Sequence, residues 1–119
     1  MSRVDSEAGI IATLIHHPEF SFYSDRLLPN HFTNTENRII YQALCSLAQS
    51  GVKTIDPYII MQELQSKEAT RRFVDSVSVE QLYSLIENSD ILCRDSTEAY
   101  MVLVNNVLDA AFRRDTYQQ

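Results

Sequence analysis

The amino-acid sequence predicts an all-α fold, a compact bundle of five to seven helices ending in a longer apolar-striped helix. Three observations carry this expectation. Apolar residues recur at three- and four-residue steps. Capping-box patterns stand ahead of those stripes. Only two glycines and three prolines occur in 119 residues, too few for a β-rich fold full of tight turns. A chain of this length reads as one domain, 1–119, that buries roughly two-thirds of its unfolded surface. Residues 1–94 are expected to form a globular head and 95–119 the terminal helix.

The first helix is expected to be capped by Asp5 or Ser6, with Ile10, Ile11, Leu14 and Ile15 as its apolar stripe and Pro18 just past its end. Phe20, Phe22 and Tyr23 follow as an aromatic knot, and Asp25–Leu28 is expected to form a short helical turn broken by Pro29 and Asn30. The stretch Asn34–Leu64 carries the clearest signals, and the rest of the chain is expected to be built on it. Thr33 and Glu36 form a capping-box pattern, and Asn34 or Thr35 could cap as well. Ile39, Ile40, Ala43, Leu44, Leu47 and Ala48 lie on one side of the helix that follows, and Gly51 supplies the left-handed residue that ends it. Asp56-Pro57 opens the next helix, an N-cap acceptor followed by a proline at N1, with Ile60, Met61 and Leu64 as its buried stripe. Arg71–Val74 is expected to add one short turn. Ser78-Val79-Glu80-Gln81 is a second capping box, with Leu82, Leu85 and Ile86 behind it and Asn88–Arg94 as a connector. Asp95-Ser96-Thr97-Glu98 caps the last helix. Its stripe is Tyr100, Val104, Val107, Leu108, Ala111 and Phe112, widened by Met101, Val102 and Leu103. That apolar face is wider than one neighbour needs, so these six residues are the candidate protein interface.

Several chemistries are excluded or weakened. Gly9 and Gly51 are the two glycines, so neither a P-loop nor a G-x-G-x-x-G turn can exist, and no G-x-S-x-G elbow occurs. No catalytic or cofactor-binding residue is expected. His16 and His17 are adjacent, diverge by about 100° on a helix, and stand in no ligand spacing, so no metal is expected. Cys45 and Cys93 form no CxxC and read as reduced, buried thiols of a cytoplasmic protein. The net charge is −6. Two basic pairs, Arg71-Arg72 before Phe73 and Arg113-Arg114, therefore leave DNA binding weak or indirect. No run reaches membrane-spanning length, and Met1–Asp5 is no signal peptide.

The run Phe32, Asn37-Arg38-Ile39-Ile40-Tyr41, Leu44, Leu47, Gly51 and Ile55-Asp56 resembles the N-terminal domain of DnaB-type replicative DNA helicases. Glu7–Leu14 is similar to that family's opening helix, Pro18 and the Leu28-to-Phe32 spacing to its first loop, Leu82-Tyr83 with Ile86 to a later helix, and Tyr100 with Val104 to its Tyr-x-x-x-Val. Ala12, His16 and Asn105-Asn106-Val107 depart from the pattern, as in a divergent member of phage or plasmid origin. The resemblance implies an all-helical collar domain ahead of a RecA-like motor. Its last helix would start a hairpin that pairs subunits into dimers within a hexamer, with primase and helicase loader as further partners. ATP and magnesium would belong to a motor beyond Gln119, and this chain would be a piece of a larger helicase with no activity of its own. The alternatives are the helicase-binding domain of a DnaG-type primase, a stand-alone adaptor or loader, and, last, an all-α hydrolase.

Overall fold

Helix start and stop chemistry places the central helices where the sequence expects them. The structure, a computed structural model, describes residues 3–72, 74 and 79–118. Six α-helices are present among them: α1 (Arg3–His16), α2 (Thr35–Gln49), α3 (Pro57–Ser66), α4 (Glu68–Arg71), α5 (Val79–Leu92) and α6 (Thr97–Gln118). No strand occurs among the described residues. Of the alternative caps for α2, Asn34 is the one used: its Oδ1 accepts the Asn37 N–H at 3.0 Å. The helix ends in a Schellman arrangement. Gly51 sits at φ +85°, its N–H reaches Ala48 O at 3.0 Å, and the Val52 N–H reaches Leu47 O at 3.1 Å. Asp56 caps α3 through the Ile59 N–H at 2.8 Å, with Pro57 at N1.

The element at the centre is α1, not the α2–α3 pair. It packs against α2, α5, α6 and a 3₁₀ turn at Pro18–Tyr23. From Ser6 to Ile15 every residue is buried except Ala8, which is half-buried. The sequence shows only a narrow stripe here because Ser6, Glu7 and Thr13 look like solvent-facing positions. Each is buried, at 1% exposure or less. Thr13 Oγ1 donates to Gly9 O at 2.7 Å and accepts the Arg94 N–H at 2.9 Å. The Glu7 carboxylate, 0% exposed, accepts from Thr33 N and Oγ1 at 3.0 and 2.8 Å, and from Asn34 N and Asn37 Nδ2 at 3.4 and 3.3 Å. A side chain of α1 thus satisfies backbone donors at the start of α2, where the helix dipole also favours its charge. Thr33 is drawn to Glu7 and not into a box with Glu36.

Local boundaries differ elsewhere. The first helix begins at Arg3, so Ser6 is inside it; the Asp5 side chain lies outside the described residues. No helix forms at Asp25–Leu28. The aromatic knot itself winds into the Pro18–Tyr23 3₁₀ turn, and Pro29–His31 forms a second, because proline suits the first position of such a turn. The short turn after α3 is Glu68–Arg71, not Arg71–Val74. Thr70 Oγ1 and Arg71 Nε fold back onto Leu64 O and Gln65 O at 2.7 and 3.2 Å, satisfying carbonyls at the end of α3. Ser78 and Phe73 lie outside the described residues. The connector expected at Asn88–Arg94 is largely helix, since α5 continues to Leu92. Ser89 is buried against α1 and its Oγ lies 2.6 Å from His16 Nε2. A polar residue in that position breaks the apolar pattern without breaking the helix. Ser96 caps α6 through the Ala99 N–H at 3.1 Å.

Candidate protein-interaction surface

Two regions of the surface that present large apolar side chains are built differently; among the described residues, Tyr58 of α3 and Tyr83 of α5 are exposed aromatics outside them. The first is α6. Tyr100, Val104, Val107 and Ala111 are all buried within the chain, at 2% exposure or less, together with Leu103. These positions form the helix face that lies on α1, so their apolar area is already covered and offers nothing to a second chain. Leu108 is half-buried at the edge of the core, and Phe112 is 71% exposed. Val102 is exposed and Met101 half-buried. The outer side of α6 is otherwise polar, with Asn105, Asn106 and an Asp109–Arg113 ion pair at 3.2 Å. The Arg114 side chain lies outside the described residues.

The second region is the aromatic segment after α1. Phe20 is buried and packs against His17 and Tyr100, with ring centroids 4.8 and 5.7 Å away. Phe22, Tyr23 and Leu28 point outward and are more than half exposed. Two buried tyrosines hold this backbone from below. Tyr41 Oη donates to Leu27 O at 2.8 Å. Tyr100 Oη lies 2.9 Å from Ser24 Oγ, which itself donates to Ser21 O at 3.1 Å, so the phenol is the donor to Ser24. Burial pushes both phenols far above the usual tyrosine range, so they keep the protons these bonds require. Burial also raises the Cys45 thiol, which therefore stays protonated and is a packing residue and not a nucleophile. Phe22 stands between two open grooves. One, of about 390 Å³, runs along Ser24, Leu27, Tyr41 and Cys45. The other, of about 430 Å³, is lined by Pro18, Ala48, Gly51, Val52 and Lys53.

This arrangement suits recognition of apolar side chains on another protein: fixed aromatic projections over apolar grooves, on a backbone that does not need to be ordered on binding. The sequence shows the aromatic residues but not which of them face outward. Phe20 and Phe22 are alike in chemistry, and only the 3₁₀ turn sends one inward and the other out. One arginine of each basic pair is engaged locally, Arg71 on Gln65 O and Arg113 on Asp109. No helix among the described residues is long and apolar enough to cross a membrane.

The family model of the DnaB-like helicase N-terminal domain matches residues 1–106. No curated protein and no solved structure matches the chain. The matched span takes in α1 to α5, the aromatic segment and the first ten residues of α6. This chain belongs to the family of DnaB-like helicase N-terminal domains.

Proposed function

We propose that this chain is the N-terminal oligomerisation and protein-interaction domain of a hexameric replicative DNA helicase, acting in a cytoplasmic primosome. The observation that carries this reading is the family match over residues 1–106 on an all-helical head. In this reading α6 starts the hairpin that pairs subunits. Supporting it, α6 commits one side to its own core and still presents Phe112 beside Leu108 at its far end. A two-fold contact uses the same patch on both copies, so one exposed aromatic is counted twice. The pairing is weak in isolation, in the micromolar to millimolar range, because a ring multiplies many such contacts. The primase or loader contact falls to Phe22, Tyr23 and Leu28, which project from the aromatic segment. ATP and magnesium chemistry belongs to a motor domain. The two glycines of this chain cannot build a phosphate cradle.

Sedimentation velocity over a concentration series tests the pairing. The parent chain is expected to show a concentration-dependent dimer, and Phe112→Asp to stay monomeric with its helical circular dichroism unchanged. A parent that is strictly monomeric at its highest soluble concentration overturns self-pairing through α6.

A further inference from the structure

Three metal-ligating side chains that lie far apart in sequence meet at the end of α1. His17 follows the last residue of that helix; Cys93 and Asp95 lie in the connector between α5 and α6. Nitrogen, sulfur and carboxylate oxygen all fall within 4.8 Å of one another. His17 Nε2 is 3.5 Å from Asp95 Oδ1, and Cys93 Sγ is 3.8 Å from the same oxygen. A tetrahedral ion with bonds of about 2.0–2.3 Å sets its ligands roughly 3.3–3.8 Å apart. Two of the three separations already match, and the third needs only a small closure.

The backbone under the cluster is held in place by two buried residues, Thr13 and Ser89. Thr13 O accepts the His17 N–H at 2.7 Å, and Thr13 Oγ1 accepts the Arg94 N–H at 2.9 Å. The Cys93 N–H is fixed on Ser89 O at 2.7 Å. The His17 ring is stacked on Phe20, 16° from parallel, which sets its plane. Its other nitrogen, Nδ1, faces the Glu19 carboxylate at 3.6 Å. With Nε2 and Asp95 Oδ1 sharing an ion, a carboxylate at Nδ1 supports the Nδ1–H tautomer, the usual outer support of a metal-bound histidine. Cys93 is thus not a thiol among apolar neighbours, as its sequence context suggests. It shares a site with the His17 imidazole and the exposed Asp95 carboxylate.

We propose that His17 Nε2, Cys93 Sγ and Asp95 Oδ1 bind one zinc ion, with water in the fourth position and Glu19 orienting the histidine. Thiolate and imidazole together select zinc over magnesium or calcium, which take oxygen ligands. The thiol releases its proton to solvent as the Zn–S bond forms. The ion ties the α5–α6 connector to the end of α1, next to the base of the exposed aromatic segment.

The test is titration of the purified chain with zinc by calorimetry and with cobalt(II) as an optical probe. Expected are one ion per chain, a near-ultraviolet thiolate-to-cobalt band, and a melting temperature raised by about 5 °C at saturating zinc. Cys93→Ser is expected to abolish the cobalt–thiolate band and weaken zinc roughly 100-fold, and Asp95→Asn roughly 10-fold. Asp95 is exposed, so Asp95→Asn folds without metal and melts like the parent. Cys45→Ser keeps both the band and the affinity. A cobalt complex with no thiolate band, or equal zinc affinity in the parent and Cys93→Ser, overturns the proposal.

Discussion

Helices α1 and α6 pack against each other, yet they use their surfaces in opposite ways. Helix α1 shows a modest apolar stripe, and its Ser6–Ile15 stretch is enclosed on nearly every side. The twenty-two residues of α6 show the wider stripe, and it is used on one side only, with Phe112 left facing solvent. The difference teaches that burial follows the number of neighbours and not the width of the stripe. The polar residues of α1 are inside because partners meet them there: Glu7 at the start of α2, Thr13 at the connector before α6. Buried polar groups of this kind are tolerated only when satisfied.

If α1 is the hub, removing volume from it produces the largest loss. Leu14→Ala, at a site 1% exposed, is expected to destabilise the fold by about 2–5 kcal/mol in urea unfolding, as are Leu44→Ala and Leu47→Ala in α2. A Leu14→Ala loss below about 1 kcal/mol would place the core elsewhere. Next comes Glu7→Gln, which keeps the shape but turns an amide N–H₂ toward backbone donors of residues 33–34. A cost of roughly 1.5–3 kcal/mol is expected, and a variant as stable as the parent would mean that the four hydrogen bonds contribute nothing.

The tyrosines that join α2 and α6 to the aromatic segment make a pH-dependent contribution that is felt only in alkali. Their folded pKa values are raised above the ordinary 10.0. The folded state therefore holds these protons where the unfolded chain has lost them. Stability is fully present below pH 10 and falls above it, by about 1.4 kcal/mol per pH unit for each tyrosine. Tyr41→Phe should roughly halve the slope measured in alkaline urea titrations; an unchanged slope would assign the loss to other groups. The smallest effect on folding is expected at the outer end of α6. Phe112→Asp should change unfolding free energy by no more than about 0.5 kcal/mol while shifting sedimentation, so stability and association separate at that position. A loss as large as that of Leu14→Ala would make Phe112 a core residue and remove the contrast between the two helices.

How much was legible follows the range over which each interaction acts. The all-α class, the Asn34 region as the start of α2, Gly51 as its stop, Asp56-Pro57 as the start of α3 and the Ser96 region as the start of α6 were all readable. Each rests on bonds within one helical turn. The length of α5 was not, because Ser89 is polar and its place inside the fold depends on His16, far away in sequence. Nor was the candidate interface resolved among Tyr100, Val104, Val107, Leu108, Ala111 and Phe112. Periodicity groups all six on a broad side of α6, and burial divides them: Ala111 lies with Tyr100, Val104 and Val107 on the covered face, whereas Phe112, about 100° further round the helix, is exposed.

By itself the sequence determined the helical class, the boundaries of α2, the start of α3, and the family pattern over residues 1–106. It also determined the absence of a phosphate-binding glycine loop, since Gly9 and Gly51 stand too far apart to form one. The tertiary structure alone decided that α1 is the centre. It decided that Glu7 holds the start of α2 across 26 residues and Thr13 holds the connector across 81. It also brought His17, Cys93 and Asp95 to one point. The physical reason is that caps, turns and stripes are set by neighbours within four residues. Burial of a polar side chain and the meeting of distant ligands depend on which surfaces the assembled helices place together.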